Sequence, residues 1–259
     1  MTVGEQYTTG DIGLLQTAAK VAGFMFLFSL LVPALNFAFV LSPFVVADDP
    51  IGTARNIQAN EALFRVGLTI ELIMSVGLVV LAVALYRIFK PISGGLALLA
   101  LLWKMAEAVL AAAIVLISFV ALHVANGTVE LTAFSPEQLL APVGLLLNAH
   151  TVLYSVPMVF LGLDLMLFFY LFYRSNYIPR IMAGFGVLSY ALIFIHALGI
   201  IVVPDVATMS IVQAVAYLPS CGAELVVGIW LLAKGLNMPS PDVNVSGSVA
   251  ADRTETGNA

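Results

Sequence analysis

The residues of this chain that can do chemistry are a few charged and imidazole side chains set inside long apolar stretches. They are Arg65, Glu71, Lys104, Glu107, Asp164 and Glu224, together with His150 and His196. A charged side chain at the centre of a bilayer costs roughly 3 kcal/mol or more, so these positions indicate a ligand site, a proton pathway or a specific helix contact.

Helical spacing predicts which of these side chains share a face. Lys104 and Glu107 are three residues apart, so we expect them to form an ion pair. His150 and Tyr154 begin a stripe that continues to Asp164 at helical intervals. A second polar stripe, near the end of the chain, contains Gln213, Tyr217, Ser220, Glu224 and Gly228. A weaker stripe, in the first apolar stretch, contains Ser29, Pro33 and Asn36.

Counting residues along each stretch places most of the polar groups in one layer. At a rise of about 1.5 Å per residue, the layer runs from the midplane into the outer half of the membrane. Asp164 falls nearer the inner side, where Arg174 or Arg180 is its expected partner.

Composition identifies the class of protein. Of the 259 residues, 61% are hydrophobic and 10% are charged, and the net charge is −5. A globular domain carries about 25% charged residues, so a soluble fold is excluded, and the acidic balance argues against nucleic-acid binding. The single cysteine, Cys221, excludes an internal disulfide, a thiolate zinc site and an iron–sulfur cluster.

The apolar stretches predict an all-α, polytopic membrane protein with its six transmembrane helices in one bundle. The predicted spans are residues 21–46, 62–86, 94–122, 139–172, 181–204 and 210–233. The fourth is too long for one vertical span, so we expect it to tilt or to begin as an interfacial piece before Asn148. Residues 1–20 form the N-terminal segment, 21–237 the transmembrane domain and 238–259 a disordered tail.

Basic residues in the loops predict the orientation. Lys20, Arg87, Lys90, Arg174, Arg180, Lys234 and Arg253 belong to one set of segments, and Arg55 alone to the alternate set. Both termini are therefore expected in the cytoplasm, with the protein in the cell membrane and the lipid bilayer as its partner.

Several segments together resemble a known family. They are residues 85–91 (LYRIFKP), 102–108 (LWKMAEA), 147–150 (LNAH), 170–181 (YLFYRSNYIPRI), 223–225 (AEL) and 230–237 (WLLAKGLN). This set is similar to a prokaryotic membrane family catalogued as domain of unknown function 4386. The resemblance implies a six-helix membrane protein without assigned activity, and it marks Glu107, His150 and Glu224 as pattern residues.

The polar cluster predicts a pocket that binds a small molecule, a lipid or quinone, or a cofactor. Its first contacts are expected to be Glu107, His150 and Glu224, with Lys104 paired to Glu107. Further candidates are His196, Glu71 and Tyr154. Two imidazoles on adjacent helices are also the residue types that ligate a haem or a metal ion, which makes His150 and His196 the candidate ligands.

Three other functions remain open on the sequence. Glutamates at the midplane together with a lysine are typical of a proton relay, which favours a proton-coupled small-solute transporter. A structural or accessory subunit would use the same groups only to fix helix packing. A membrane enzyme, with His150 as base and Lys104 as electrophile, is disfavoured because the chain has no Ser–His–Asp set, phosphate loop or HExxH motif.

Overall fold

The computed structural model describes residues 8–46, 49–126, 135–148 and 150–238, and within these ranges all regular structure is helical. Most of the predicted tail, residues 239–259, and the first seven residues lie outside the described ranges. The helices are α1 Thr9–Asn36, α2 Pro50–Ala59, α3 Glu61–Phe89, α4 Gly94–Ala125, α5 Pro136–Asn148, α6 His150–Leu153, α7 Ser155–Ser175, α8 Arg180–Val202, α9 Pro204–Ala207 and α10 Ser210–Ala233. A π turn, Phe37–Leu41, and a 3-10 turn, Ser42–Phe44, extend α1.

Six of the described helices are long and apolar enough to cross a membrane: α1 with its extension, α3, α4, α7, α8 and α10. The predicted all-α, six-span architecture is therefore confirmed. Helix α1 begins well before the predicted span because Thr8 and Asp11 form a capping box. The Asp11 amide donates to Thr8 Oγ1 at 3.2 Å, and the Thr8 amide donates to Asp11 Oδ2 at 3.1 Å.

The fourth apolar stretch is not one tilted helix. It is divided among α5, α6 and α7, and only α7, of 21 residues, is a membrane-spanning helix. Helix α5 packs against α2, and a Cβ at Gly144 would overlap the Pro50 carbonyl oxygen, so glycine permits this close approach. The expected piece before Asn148 is thus a separate helix that rests on α2.

The six spans form a ring in which each packs against the next along the chain. The order is α1, α3, α4, α7, α8 and α10, and α10 closes the ring by packing against α1. The end of the ring that holds the α3–α4 and α7–α8 turns and the end of α10 is called here the termini end. The opposite end, which carries α2 and α5, is called the distal end.

Each end of the bundle has its own apolar core. At the termini end the core includes Phe26, Phe89, Phe168 and Phe172, with the Phe89 and Phe172 rings edge to face at 4.6 Å between centroids. At the distal end a smaller core includes Leu41, Phe44, Ile57, Phe64 and Leu122. The buried charged side chains, which include Lys104, Glu107 and Asp164, lie at the level between the two cores.

The termini end is fastened by hydrogen bonds between distant segments. The Gln16 side chain donates to the Leu236 carbonyl at 2.8 Å and accepts from the Leu236 amide at 2.9 Å. The Asn237 amide donates to the Tyr177 carbonyl at 2.8 Å. Gly235 lies in the left-handed region, at φ 71°, just after the end of α10, the conformation in which many helices end. The segments 170–181 and 230–237, which carry part of the family resemblance, therefore meet at this end.

Candidate functional site

Lys104 is the centre of the buried polar cluster. Its ammonium Nζ lies 2.7 Å from Glu107 Oε2 on the same helix and 3.1 Å from Asp164 Oδ1 on α7. The side chains of Lys104 and Asp164 are fully buried. The ion pair expected from the Lys104–Glu107 spacing is present, and it extends to a third residue on a neighbouring helix.

The expected partner of Asp164 was wrong. Asp164 pairs with Lys104 rather than with Arg174 or Arg180. Helix α7 runs to Ser175, beyond the end of the predicted span, which places Asp164 about 17 Å from the termini end. Lys104 is about 15 Å into α4 from the same end, so the two residues occupy one level.

A second polar contact joins α8 to α10. The Tyr190 hydroxyl donates to Glu224 Oε1. Tyr190 is fully buried, whereas Glu224 is half-buried. Glu224 lies about 14 Å from the end of α10, so it shares the level of Lys104 and Asp164.

A cavity of about 140 Å³ opens beside these groups in the centre of the ring. Its polar lining consists of Ser29, Glu71, Ser75, Lys104, Glu107, Tyr154 and Glu224. Its apolar lining consists of Pro33, Met74, Leu78, Leu81, Ala111, Pro157, Met158, Leu161 and Leu165. Helices α1, α3, α4, α7 and α10 contribute to this lining, as does Tyr154, which immediately precedes α7. The cavity runs from the Lys104 level towards the distal end.

Acidic groups outnumber basic ones around the cavity. Glu71, Glu107 and Glu224 line it, and Asp164 contacts Lys104 without lining the cavity itself. Lys104 is the one lysine or arginine among these lining residues. Among the described residues, four carboxyl groups thus surround one ammonium in a medium of low dielectric constant, where unbalanced charge is costly. This excess of acidic groups favours a positively charged partner.

The two histidines occupy different places. His196 is buried on α8, where its Nε2 lies 3.0 Å from the Ala207 carbonyl oxygen and its ring meets the edge of Tyr217 at 5.0 Å between centroids. It is not among the residues that line the cavity. His150 begins α6, and its side chain lies outside the described part of the structure. A haem or metal ion held by the two imidazoles stays a prediction; His196 Nδ1 is buried and has no hydrogen-bond partner among the described residues.

The structure brings together five of the seven site residues expected from the sequence: Glu71, Lys104, Glu107, Tyr154 and Glu224. The sequence did not identify Tyr190, and it excluded Asp164 from the cluster. Tyr190 gave no usable signal because a tyrosine in an apolar helix is also an ordinary packing residue. Asp164 was noted for its charge, but it was placed too near the inner side to belong to the cluster.

The cluster can hold a polar guest or exchange protons, since it contains acidic side chains, an ammonium and phenols around a cavity. Among the described residues no group of three or more His, Cys, Asp or Glu side chains is arranged to hold a metal ion. Fold and cavity together define the class of this protein, a multi-pass helical membrane protein with a charged group of residues at the centre of its bundle.

The chain belongs to the family described as Domain of unknown function (DUF4386), whose model matches residues 21–235. The match includes five spans in full and α1 from Val21 onward, which confirms the family expected from the sequence motifs. Searches of curated proteins and of solved structures gave no match.

Proposed function

We propose that this protein binds a small polar molecule, or the polar head of a larger one, in the cavity at the centre of its bundle. The observation that carries the proposal is a cavity of about 140 Å³ lined by Lys104 and three glutamates at membrane depth. Pockets for drug-sized ligands measure roughly 300–1,000 Å³, so the part of the ligand that enters is small.

The charges around the cavity favour a guest that brings positive charge or hydrogen-bond donors. Glu71, Glu107 and Glu224 offer acceptor oxygens, while the ammonium of Lys104 is already engaged by two carboxylates. A protonated amine or a quinol head group complements this lining. The apolar residues Met158, Leu161 and Leu165 suit a short hydrocarbon substituent on the same molecule.

The distribution of basic residues supports an orientation with the termini end in the cytoplasm and the protein in the cell membrane. In that orientation the cavity extends from the midplane towards the outer surface. The bilayer and a small ligand are then the partners that we propose.

The binding proposal is tested with purified protein in mild detergent and a pair of probes of equal size. Butylammonium is expected to raise the thermal unfolding midpoint in a saturable manner, and neutral butanol is not. Glu224→Gln removes one acceptor charge from the cavity and should weaken butylammonium binding at least about fivefold, the equivalent of roughly 1 kcal/mol.

Glu61→Gln is the matched control, because it makes the same chemical change on α3 at a half-exposed site outside the cavity. It should leave butylammonium binding unchanged. Equal responses to butylammonium and butanol, or equal losses in both variants, would contradict a cationic ligand. If mass spectrometry of the purified protein also detects no bound small molecule, the cluster has only a packing role.

The surplus of carboxyl groups also favours a second function, proton-coupled transport. Three glutamates and one lysine line the cavity, and in such a site entry of a cationic solute can be exchanged for release of protons. Pro33 and Pro157, which line the cavity, and Pro219 on α10 lie where backbone hydrogen bonds can be rearranged.

Flux measurements in proteoliposomes separate transport from binding. A pH gradient should drive labelled methylammonium into proteoliposomes at a higher initial rate than into protein-free vesicles, and Glu224→Gln should reduce the protein-dependent rate at least tenfold. Glu61→Gln should transport normally. Saturable butylammonium binding without methylammonium flux would support the binding function and reject the transporter.

A further inference from the structure

A groove on the lipid-facing surface lies between α1 and α3 near the termini end, apart from the central cavity. Its volume is about 360 Å³. It is lined by Leu14, Thr17, Ala18 and Val21 of α1 and by Val79, Val80, Val83, Ala84 and Arg87 of α3. The lining is apolar along most of its length and carries one cationic group, at the end of α3.

Arg87 is exposed, and no ion pair or hydrogen bond to its guanidinium is found among the described residues. The other membrane-facing groove of comparable size, between α3 and α4, contains Arg65, whose guanidinium is already bound to Glu61 at 2.6 Å. The Arg87 groove therefore combines an unneutralised cation with an apolar channel, whereas the Arg65 groove does not.

The position of the cation within the groove matches the shape of a phospholipid. Arg87 lies two residues before the end of α3, at the level of the lipid head groups. Val79 and Val80 lie about 10–12 Å further along the helix, at the level of the acyl chains.

We propose that this groove binds an anionic phospholipid, with the phosphate head group on Arg87 and one acyl chain along Val79, Val80 and Val21. Guanidinium pairs with phosphate through two parallel hydrogen bonds, which gives Arg87 a geometric as well as a charge preference. Basic residues at a membrane surface attract anionic lipid with about 1 kcal/mol each, so about a fivefold preference over a zwitterionic lipid follows.

Native mass spectrometry of the full chain, titrated with lipids of identical acyl chains, tests the proposal. Phosphatidylglycerol should bind about fivefold more tightly than phosphatidylcholine. Arg87→Gln should abolish that preference. Arg174→Gln is the matched control, since Arg174 is equally exposed at the same end of the bundle but does not line the groove. It should retain the preference.

A second variant tests the acyl-chain part of the site. Val80→Phe fills the groove at an exposed position and should reduce binding of both lipids while Arg87 remains. Equal binding of the two lipids by the wild type, or equal loss of preference in the Arg87 and Arg174 variants, would overturn the proposal. Displacement of phosphatidylglycerol by millimolar inorganic phosphate alone would also overturn it, because the site would then be a general anion site.

Discussion

Replacement of Lys104 by methionine is expected to lower the free energy of unfolding by about 3–5 kcal/mol. The substitution keeps much of the side-chain volume but removes the ammonium between Glu107, 2.7 Å away, and Asp164, 3.1 Å away. Two acidic groups would then face each other in the bundle interior without a counter-charge. Thermal and denaturant unfolding in a fixed detergent would measure the loss.

Two comparisons show whether charge is the cause. Neutralising both acids in the same chain, with Glu107→Gln and Asp164→Asn added to Lys104→Met, should recover most of the lost stability. Arg65→Met breaks an ion pair whose side chains are 38% and 37% exposed, and it should cost less than about 1 kcal/mol. If the triple variant is no more stable than the single one, volume or helix contacts outweigh charge at Lys104.

Gly162→Ala is expected to destabilise the bundle by about 1–3 kcal/mol, although it adds a single methyl group. A Cβ at position 162 would lie 2.7 Å from Phe194 Cβ and 2.8 Å from the Phe194 backbone. Since backbone atoms cannot rotate away, α7 and α8 must separate. That movement would disturb two helices whose inner side chains, Asp164 and Tyr190, contact the charged cluster. The unfolding midpoint and the affinity for butylammonium should both fall.

Gly184→Ala provides the control on the same pair of helices. A Cβ at residue 184 would be 3.9 Å from the Tyr173 ring, an ordinary packing distance. Alanine is also the better helix former, so this variant should be unchanged or slightly more stable. Similar losses of stability in the two variants would show that the α7–α8 approach does not depend on Gly162.

The six spans could be predicted because the length of an apolar stretch can be read from each segment by itself, without knowledge of its neighbours. The Lys104–Glu107 ion pair could be predicted in the same way, since both residues lie on one helix and their spacing places them on the same face. The division of the fourth stretch was harder to foresee. It depends on the packing of α5 against α2, two segments separated by about 80 residues of chain.

The contacts between helices could not be derived from periodicity. Lys104 reaches Asp164, and Tyr190 reaches Glu224, only for one vertical offset and one rotation of each helix pair. The offset and the rotation are set by the packing of residues such as Gly162 and Phe194. The types of these residues do not indicate how deep in the bundle they lie. A misplaced end of the fourth span was enough to assign Asp164 to the wrong partner.

The sequential ring also implies an order of assembly during synthesis. Each span that enters the bilayer finds its neighbour already present, because α3 follows α1, α4 follows α3 and so on around the ring. Lys104 gains Asp164 only when α7 arrives, and Glu224 comes with α10, the sixth of these spans. The ring therefore remains open between α8 and α1 until α10 has been inserted. A nascent chain stalled before α10 would expose Tyr190, Glu107 and Lys104 to lipid or to the insertion machinery.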